Sequence, residues 1–570
     1  MTRRLIDAPI APPFSRSSRE ERFAQLGEAP FDVVVIGGGI TGAGIARDAA
    51  MRGLRTLLLE KSDLAAGTSS ASSKLVHGGL RYLEQGEIAL VHESVSERHR
   101  LRQLAPHLVR PLPFVFPVYD RLPRPLWQIR FGLWIYDAMA LFRSYKLHKA
   151  HGAKGTSKLE PALRTKGLDG SVLYYDCMTD DARLTLETAR GAHLAGAWVM
   201  TYAQVEGFKL DRRQLNGVVV KDCLSGQDYE VSARTVVNAT GPWADRTLGM
   251  RGSRPRLLRP TKGVHLVFHR DRLPVHNTVC LVNNEDHRVI FAIPWGNRVV
   301  LGTTDTDFEG DFDDVFCGAD DVLYLLDVAN RYFPSCALEP SDVLGTWAGL
   351  RPLVCPEEDG LGASQVSREH TVQVDDDGLI TVAGGKLTTY RLMADEVVTE
   401  VARQLKHEGF HIGGCPTGNV VLPGGEGIAW KGDELVTLGP DGLAAERELA
   451  ERLGEDVAEH LQESYGGRWQ QVVDRIAAEP ALGERIIEDL PYLWAEVDHC
   501  VETEMVITLR DFMRRRTQIE LRAAVQSWDV APAIAERLGH FLGWTKSEVD
   551  RQVASYIEES EKTMAWRDLL

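Results

Sequence analysis

The chain has 570 residues, enough for about three to four domain-sized units, and its 44% hydrophobic composition supports a sizeable core. Its 65 basic against 81 acidic side chains leave a net charge of −16, which speaks against a general nucleic-acid binder and means that an anionic substrate needs arginines of its own. The eight cysteines stand singly, with no CxxC and no paired spacing, and read as reduced cytosolic thiols with no metal site among them.

The first 30 residues, with Arg3, Arg4, Pro9, Pro12 and Pro13, carry neither an apolar stretch nor a small-residue cleavage site and read as a tail, not a secretory signal. From Phe31 to Glu60, FDVVVIGGGITGAGIARDAAMRGLRTLLLE, the pattern predicts strand, glycine turn, helix and strand. Gly37 allows the tight turn, Gly39 lets the backbone approach a pyrophosphate, and Gly42 lets the helix pack near the strand, so that free N–H groups at the helix start face phosphate. Glu60 ends the second strand, where a carboxylate can accept from ribose hydroxyls.

The loop that follows, Lys61 to Lys74, contains GTSSASS and is either a flexible linker or a wrap around a second part of a long cofactor. On the second reading Lys61, Thr68, Ser69, Ser73 and Lys74, with Leu75 just beyond, are contacts, and His77, Arg81 and Tyr82 line the far end near a reactive ring. A helical pattern from Ser94 to Val109 is followed by Pro111, Pro113 and Pro117, which predict short broken strands. Phe131 to Phe142, FGLWIYDAMALF, is too short to span a membrane. It is bracketed by Arg121, Arg124 and Arg130 before and by Arg143, Lys146 and Lys149 after; a membrane-interface helix and a domain-core helix fit it equally. No apolar run of about 18 residues occurs, which argues against a transmembrane helix.

SVLYYDCMTDDARLTLETAR predicts a strand and a helix capped by Thr179, Asp180 or Asp181. Two strands joined at Asn216-Gly217 follow, and then a buried strand that ends at Thr240-Gly241, a second close backbone approach. Residues 256–345 predict a mostly antiparallel sheet in which Thr303, Thr304 and Asp305 end one strand and either face a ligand or cap the helix that follows, the cap being favoured for Asp305. Arg351, within TWAGLRPLV, needs a partner. Arg368 opens a strand whose hairpin at Asp375 to Gly378 reads as a solvated turn. Gly384, Gly385 and Lys386, followed by Leu387 and Thr388, form a third glycine turn at a helix start, where partial positive charge would stabilise a reduced ring. A Pro/Gly-rich linker from Cys415 precedes a helical region. The units are therefore a tail (1–30), a discontinuous nucleotide-binding unit (31–110, 169–255 and 346–412), a second unit (111–168 and 256–345), and a linker with a helical domain (413–570).

The fingerprint at Gly37, Gly39, Gly42, Ala46, Gly53 and Glu60, with SSASSKLVHGGLRYLE, NATGPWAD, LGTTD, GLRPL, GGKLTTYR and DFMRRRT in this order, resembles the flavin-dependent glycerol-3-phosphate dehydrogenases. The resemblance implies an α/β fold: an FAD-binding, Rossmann-like, doubly wound domain, a mostly antiparallel β substrate domain and an all-α carboxy-terminal domain. It implies non-covalent FAD, oxidation of sn-glycerol 3-phosphate to dihydroxyacetone phosphate by hydride transfer from C2 to flavin N5, and electrons passed to a membrane quinone. Arg351 matches the arginine on the substrate phosphate, and Arg368 a second one near the substrate oxygens and the flavin. Arg81 and Tyr82 match pocket residues, His77 the histidine near the flavin, and Lys386 the lysine on the flavin ring. Either His77 or Arg368 would handle the C2 hydroxyl proton. An oxidase that uses oxygen and releases peroxide would share these motifs. The expected location is cytoplasmic, docked peripherally on the anionic inner face of the cell membrane; the sequence sets no oligomeric state, a homodimer being one option.

Overall fold

The computed structural model describes residues 11–80, 82, 86–120, 125–140, 145–252, 255–355, 368–432, 434–438 and 442–570. The first layer is a sheet ordered His370–Val374, Ile380–Gly384, Asp228–Asn238, Phe31–Ile36, Thr56–Leu59, Trp198–Met200, parallel throughout except at its first, edge strand. Its inner strands are apolar on both faces because both are covered. Val33 and Val35 pack under the helices Ile40–Met51, Asp181–Leu194 and Tyr390–Leu405. Phe31, Val34 and Ile36 meet Val205, Val218, Val220 and Val231 of an antiparallel meander, Ala203–Asp211, Gln214–Asp222 and the start of Asp228–Asn238.

The second sheet is mostly antiparallel and has ten strands among the described residues, including Val109–Tyr119, Leu168–Thr179, Leu258–His269 and Val343–Val354. One of its faces packs on the helix Ala319–Tyr332, the other on the helix Leu126–Met139. After a small hairpin, Ile428–Lys431 with Glu434–Thr437, helices from Gly442–Leu453 to Lys546–Lys562 build the third region around two apolar clusters.

Several expectations change. Leu168–Thr179 and Val343–Val354 run in the second sheet, so residues 169–179 and 346–354 belong there and not with the nucleotide-binding unit; each pairs along its length with a strand of that sheet. Residues 11–30 are docked rather than a loose tail: the helix Arg16–Ala24 buries Phe23, and Arg19 pairs with Asp222 and donates through Nε to the Thr201 carbonyl at 2.7 Å. Pro111, Pro113 and Pro117 sit at alternate positions of one unbroken strand, so their missing N–H groups fall on one side and the ladder on the other survives. The turn expected at Asn216-Gly217 is at Arg212 and Arg213, both at positive φ, while Gly217 lies within a strand where a Cβ would come 2.0 Å from the Val231 carbonyl oxygen. Asp375 and Asp377 are not merely solvated, since both pair with Arg251. The helix Asp181–Leu194 is capped by Asp180, which accepts from the Arg183 N–H at 3.0 Å.

Candidate active site

A cavity of about 760 Å³ lies between the two sheets and reaches the helical region. Every candidate named above lines it except Gly42, Lys74 and Arg81. Arg81 lies outside the described residues.

At one end the strand Phe31–Ile36 turns at Gly37, whose φ of +108° suits glycine, into the helix Ile40–Met51. Gly42 packs on that turn so closely that a Cβ would sit 1.9 Å from the Gly37 carbonyl oxygen. Its place is against the strand, behind the cavity wall. The helix start leaves backbone N–H groups without helical partners; one, on Ile40, donates to Ser69 Oγ at 2.9 Å. Glu60 accepts from the Gly38 N–H at 2.6 Å through one oxygen and from the Ser62 N–H at 2.9 Å through the other. Burial raises its pKa and the two N–H groups oppose this. Each oxygen keeps a lone pair for a ribose hydroxyl.

The loop 61–74 differs from a wrap of free hydroxyls. Thr68 Oγ1 donates to the Leu350 carbonyl at 2.6 Å and Ser73 Oγ lies 2.8 Å from His265 Nε2, so these side chains tie the loop to the second sheet. Lys61 is stacked over Trp243, 4.6 Å from the ring centre, and pairs with Asp313 at 2.5 Å. Lys74 was expected on the cofactor; its Nζ is instead buried on Asp181 at 2.7 Å, with the rings of Trp295 and Trp347 within 6 Å. A cationic stem that finds a carboxylate and two indoles has no reason to turn outward.

At the other end, Arg351 donates to Asp305 Oδ1 at 3.1 Å and to Thr303 Oγ1 at 2.9 Å, while Arg368 donates to Asp305 Oδ2 at 3.1 Å. Asp305 therefore caps no helix: it sits between two guanidinium groups, and the next helix starts only at Ala319. Burial would raise its pKa, but Arg351 and Arg368 hold it below the usual carboxylate range. Burial pushes Arg351 down to about 10, against the pull of Asp305. Two guanidinium groups on one carboxylate leave a net positive charge, which suits a dianion such as a phosphate monoester.

Between the ends stands His77, whose backbone N–H and carbonyl both meet Thr388 Oγ1 at 3.3 Å. Burial pushes the imidazole down to about 4, opposed by Asp176 and helped by Lys386 and Arg368, so it is neutral at neutral pH. Lys386 Nζ lies 3.7 Å from the ring centre of Tyr82 and 3.3 Å from Ser94 Oγ. Burial lowers Lys386 to about 7, with Glu87 opposing.

Three features escaped sequence reasoning. Gly78 N–H is fixed by Tyr136 Oη and Asp176 Oδ1, and Asp176 pairs with the buried Arg98. His265 is stacked on Trp347, with ring centres 4.9 Å apart. Thr508, Arg510, Arg514 and Arg515 of the helical region reach the cavity wall. No local spacing marks any of these, because each depends on long-range pairing. The glycine cradle, the helix start and the acid at the strand end, on the wall of a cavity of about 760 Å³, fit a dinucleotide cofactor.

Known proteins agree with this fit. Residues 32–398 match the FAD dependent oxidoreductase family, and residues 415–549 match the C-terminal domain of alpha-glycerophosphate oxidase. The chain is 38% identical over 554 residues to glycerol-3-phosphate dehydrogenase 2 of Mycobacterium bovis, covering 96% of this chain and 90% of the relative. It is 37% identical over 558 residues to glycerol-3-phosphate dehydrogenase of a Synechocystis species, covering 95% and 98%. The crystal structure of the glycerol-3-phosphate dehydrogenase from Bacillus halodurans complexed with FAD matches with a TM-score of 0.75 at 31% identity, over 96% of this chain and 98% of that one. L-alpha-glycerophosphate oxidase from Mycoplasma pneumoniae, at 17% identity and a TM-score of 0.51, shares the fold.

Proposed function

Because the chain belongs to the FAD-dependent glycerol-3-phosphate dehydrogenase and oxidase family, we propose that it oxidises sn-glycerol 3-phosphate to dihydroxyacetone phosphate and hands the electrons to a membrane quinone. The observation that carries the substrate is the pairing with Asp305 of Arg351 and Arg368, both of which line the cavity. Arg351 binds the phosphate, where a planar guanidinium can donate two parallel hydrogen bonds. Arg368 faces the substrate oxygens, and Tyr82 completes the pocket among the described residues. His77, neutral above about pH 4, accepts the C2 hydroxyl proton; its backbone, pinned to Thr388, fixes where the ring stands. The turn at Gly37 and Gly39 takes the pyrophosphate and Glu60 the adenosine ribose. Lys386 stands by the ring end. When bound, FAD supplies the hydride-accepting ring, and the chain's own groups orient and polarise the substrate beside it.

A quinone lives in the bilayer, so its reductase has to dock there. Among the described residues no helix is long and apolar enough to cross a membrane. The helix Leu126–Met139 buries Leu133 and Tyr136 but leaves Trp127 70%, Phe131 61% and Trp134 47% exposed. It thus has one face in the core and one apolar face outward. Arg130 stands within it and Lys146 and Lys149 follow it, while Arg121, Arg124 and Arg143 lie outside the described residues. This supports peripheral docking on an anionic surface.

The test is reduction of the bound flavin by glycerol 3-phosphate without oxygen, followed by reoxidation. Fast reoxidation by a quinone analogue and slow reoxidation by oxygen supports the proposal. Stoichiometric peroxide from oxygen would make the protein an oxidase.

A further inference from the structure

Asp63 lies three residues beyond Glu60, on the loop that leaves the second strand of the nucleotide-binding unit, and it is completely buried. Its partners come from the far end of the chain. Arg515 Nε donates to Oδ2 at 2.5 Å, Arg516 Nη1 to Oδ2 at 2.7 Å, and Arg516 Nη2 to Oδ1 at 3.0 Å. Both arginines belong to Asp511–Arg516, a turn of π-helix, a geometry found disproportionately at functional sites.

That turn is held from behind as well. Asp511 accepts from the N–H groups of Ile507 and Thr508, from Arg515 Nη2 at 2.7 Å and from the Tyr202 hydroxyl at 2.7 Å. Arg516 Nη2 also donates to the Glu504 carbonyl at 2.8 Å. Tyr202 closes the circuit, since its own N–H donates to the Ser62 carbonyl at 2.9 Å. Ser62 and Asp63 are thus both tied to the helical region, directly or through one residue. Ser62 is also the residue whose N–H holds one oxygen of Glu60.

We infer that Arg515 and Arg516, by clamping Asp63, are positioning residues for the cofactor: they hold the loop that aims Glu60 at the adenosine ribose, so the helical carboxy-terminal region sets how tightly FAD is kept. The inference rests on the reading of Glu60 given above. Its physical basis is that a buried carboxylate with three charge-assisted hydrogen bonds fixes its backbone sharply, and that removing one member leaves an uncompensated buried charge which the loop must move to relieve.

The experiment follows release of FAD from the full-length holoenzyme on dilution, read as the rise in flavin fluorescence, for Asp63→Asn, Arg516→Lys, Glu60→Ala and Asp489→Asn. The last removes the partly exposed partner of Arg298, a contact between the helical region and the second sheet away from this loop. Asp63→Asn is expected to release FAD about tenfold faster or more, the scale of one buried charge-assisted hydrogen bond. Its KM for glycerol 3-phosphate, measured with FAD in excess, should not move, and Asp489→Asn should release FAD at the wild-type rate. Should Asp63→Asn fail to fold, Arg516→Lys is read the same way, keeping the charge but losing the two-pronged contact. FAD release at the wild-type rate from the Asp63 and Arg516 variants, with Glu60→Ala leaking, overturns the clamp and leaves the Glu60 reading intact. Full retention in Glu60→Ala overturns that reading and the clamp built on it. Equal leakage from Asp63→Asn and Asp489→Asn also overturns the clamp, since any loosening of the helical region would then suffice.

Discussion

Arg351 and Lys386 carry the two charges of the cavity that burial disturbs most usefully. Arg351→Met removes charge-assisted hydrogen bonds worth about 1.5–3 kcal/mol each, so KM for glycerol 3-phosphate should rise roughly 10–100-fold while bound FAD stays in place. Steady-state kinetics with a flavin content measurement checks this; unchanged KM with lost flavin would make Arg351 a cofactor or structural residue. Lys386, lowered to about 7, is the group whose charge changes near working pH. Above that value it turns neutral, so the rate of flavin reduction by substrate should fall through pH 7 if its charge assists the reaction. Lys386→Arg should move that fall to higher pH. Stability has the opposite slope. Between about pH 7 and the ordinary lysine value of 10.5 the unfolded chain binds a proton that the folded chain does not, so the folded state gains stability as pH rises through this window. Denaturant unfolding of Lys386→Met across this range should lack that gain.

The nucleotide-binding turn is the element most legible from sequence, and the reason is geometric. Gly37, Gly42 and Glu60 do their work within a local strand–helix–strand unit, so spacing alone reveals them. Gly42→Ala would force a methyl group into the Gly37 carbonyl; a stability loss of about 1–3 kcal/mol and a drop in bound FAD are expected by denaturant titration and absorbance. Asp305 shows where legibility stops. Its chain neighbours suggested a cap, but its partners lie 46 and 63 positions away, on the strand Val343–Val354 and just before the edge strand His370–Val374. Lys74 shows the same limit: the carboxylate that its Nζ meets, Asp181, is 107 positions distant. Fold class was readable, whereas which side chains the second sheet would claim was not.

At the scale of the whole molecule, net charge and docking have to be reconciled. Charges of the −16 molecule that stand more than a screening length of roughly 8 Å from the surface are largely screened, so the proposed docking rests on the charges close to the helix Leu126–Met139. A Trp127/Phe131/Trp134 triple alanine variant should lose quinone reductase activity and sediment less with anionic liposomes, yet still reduce a soluble dye. Retained liposome binding would move the docking face elsewhere. The order of strands in the first sheet bears on something quite different, the making of the protein. Asp228–Asn238 is flanked by Phe31–Ile36 on one side and by Ile380–Gly384 on the other, and the latter leaves the ribosome last. At about 5–20 residues per second the nascent chain waits roughly 7–30 s with an unsealed parallel edge. During that interval the edge is open to pairing with a neighbouring nascent chain, so a chaperone that shields the edge should raise the soluble yield, whereas slower elongation, which lengthens the interval, should lower it.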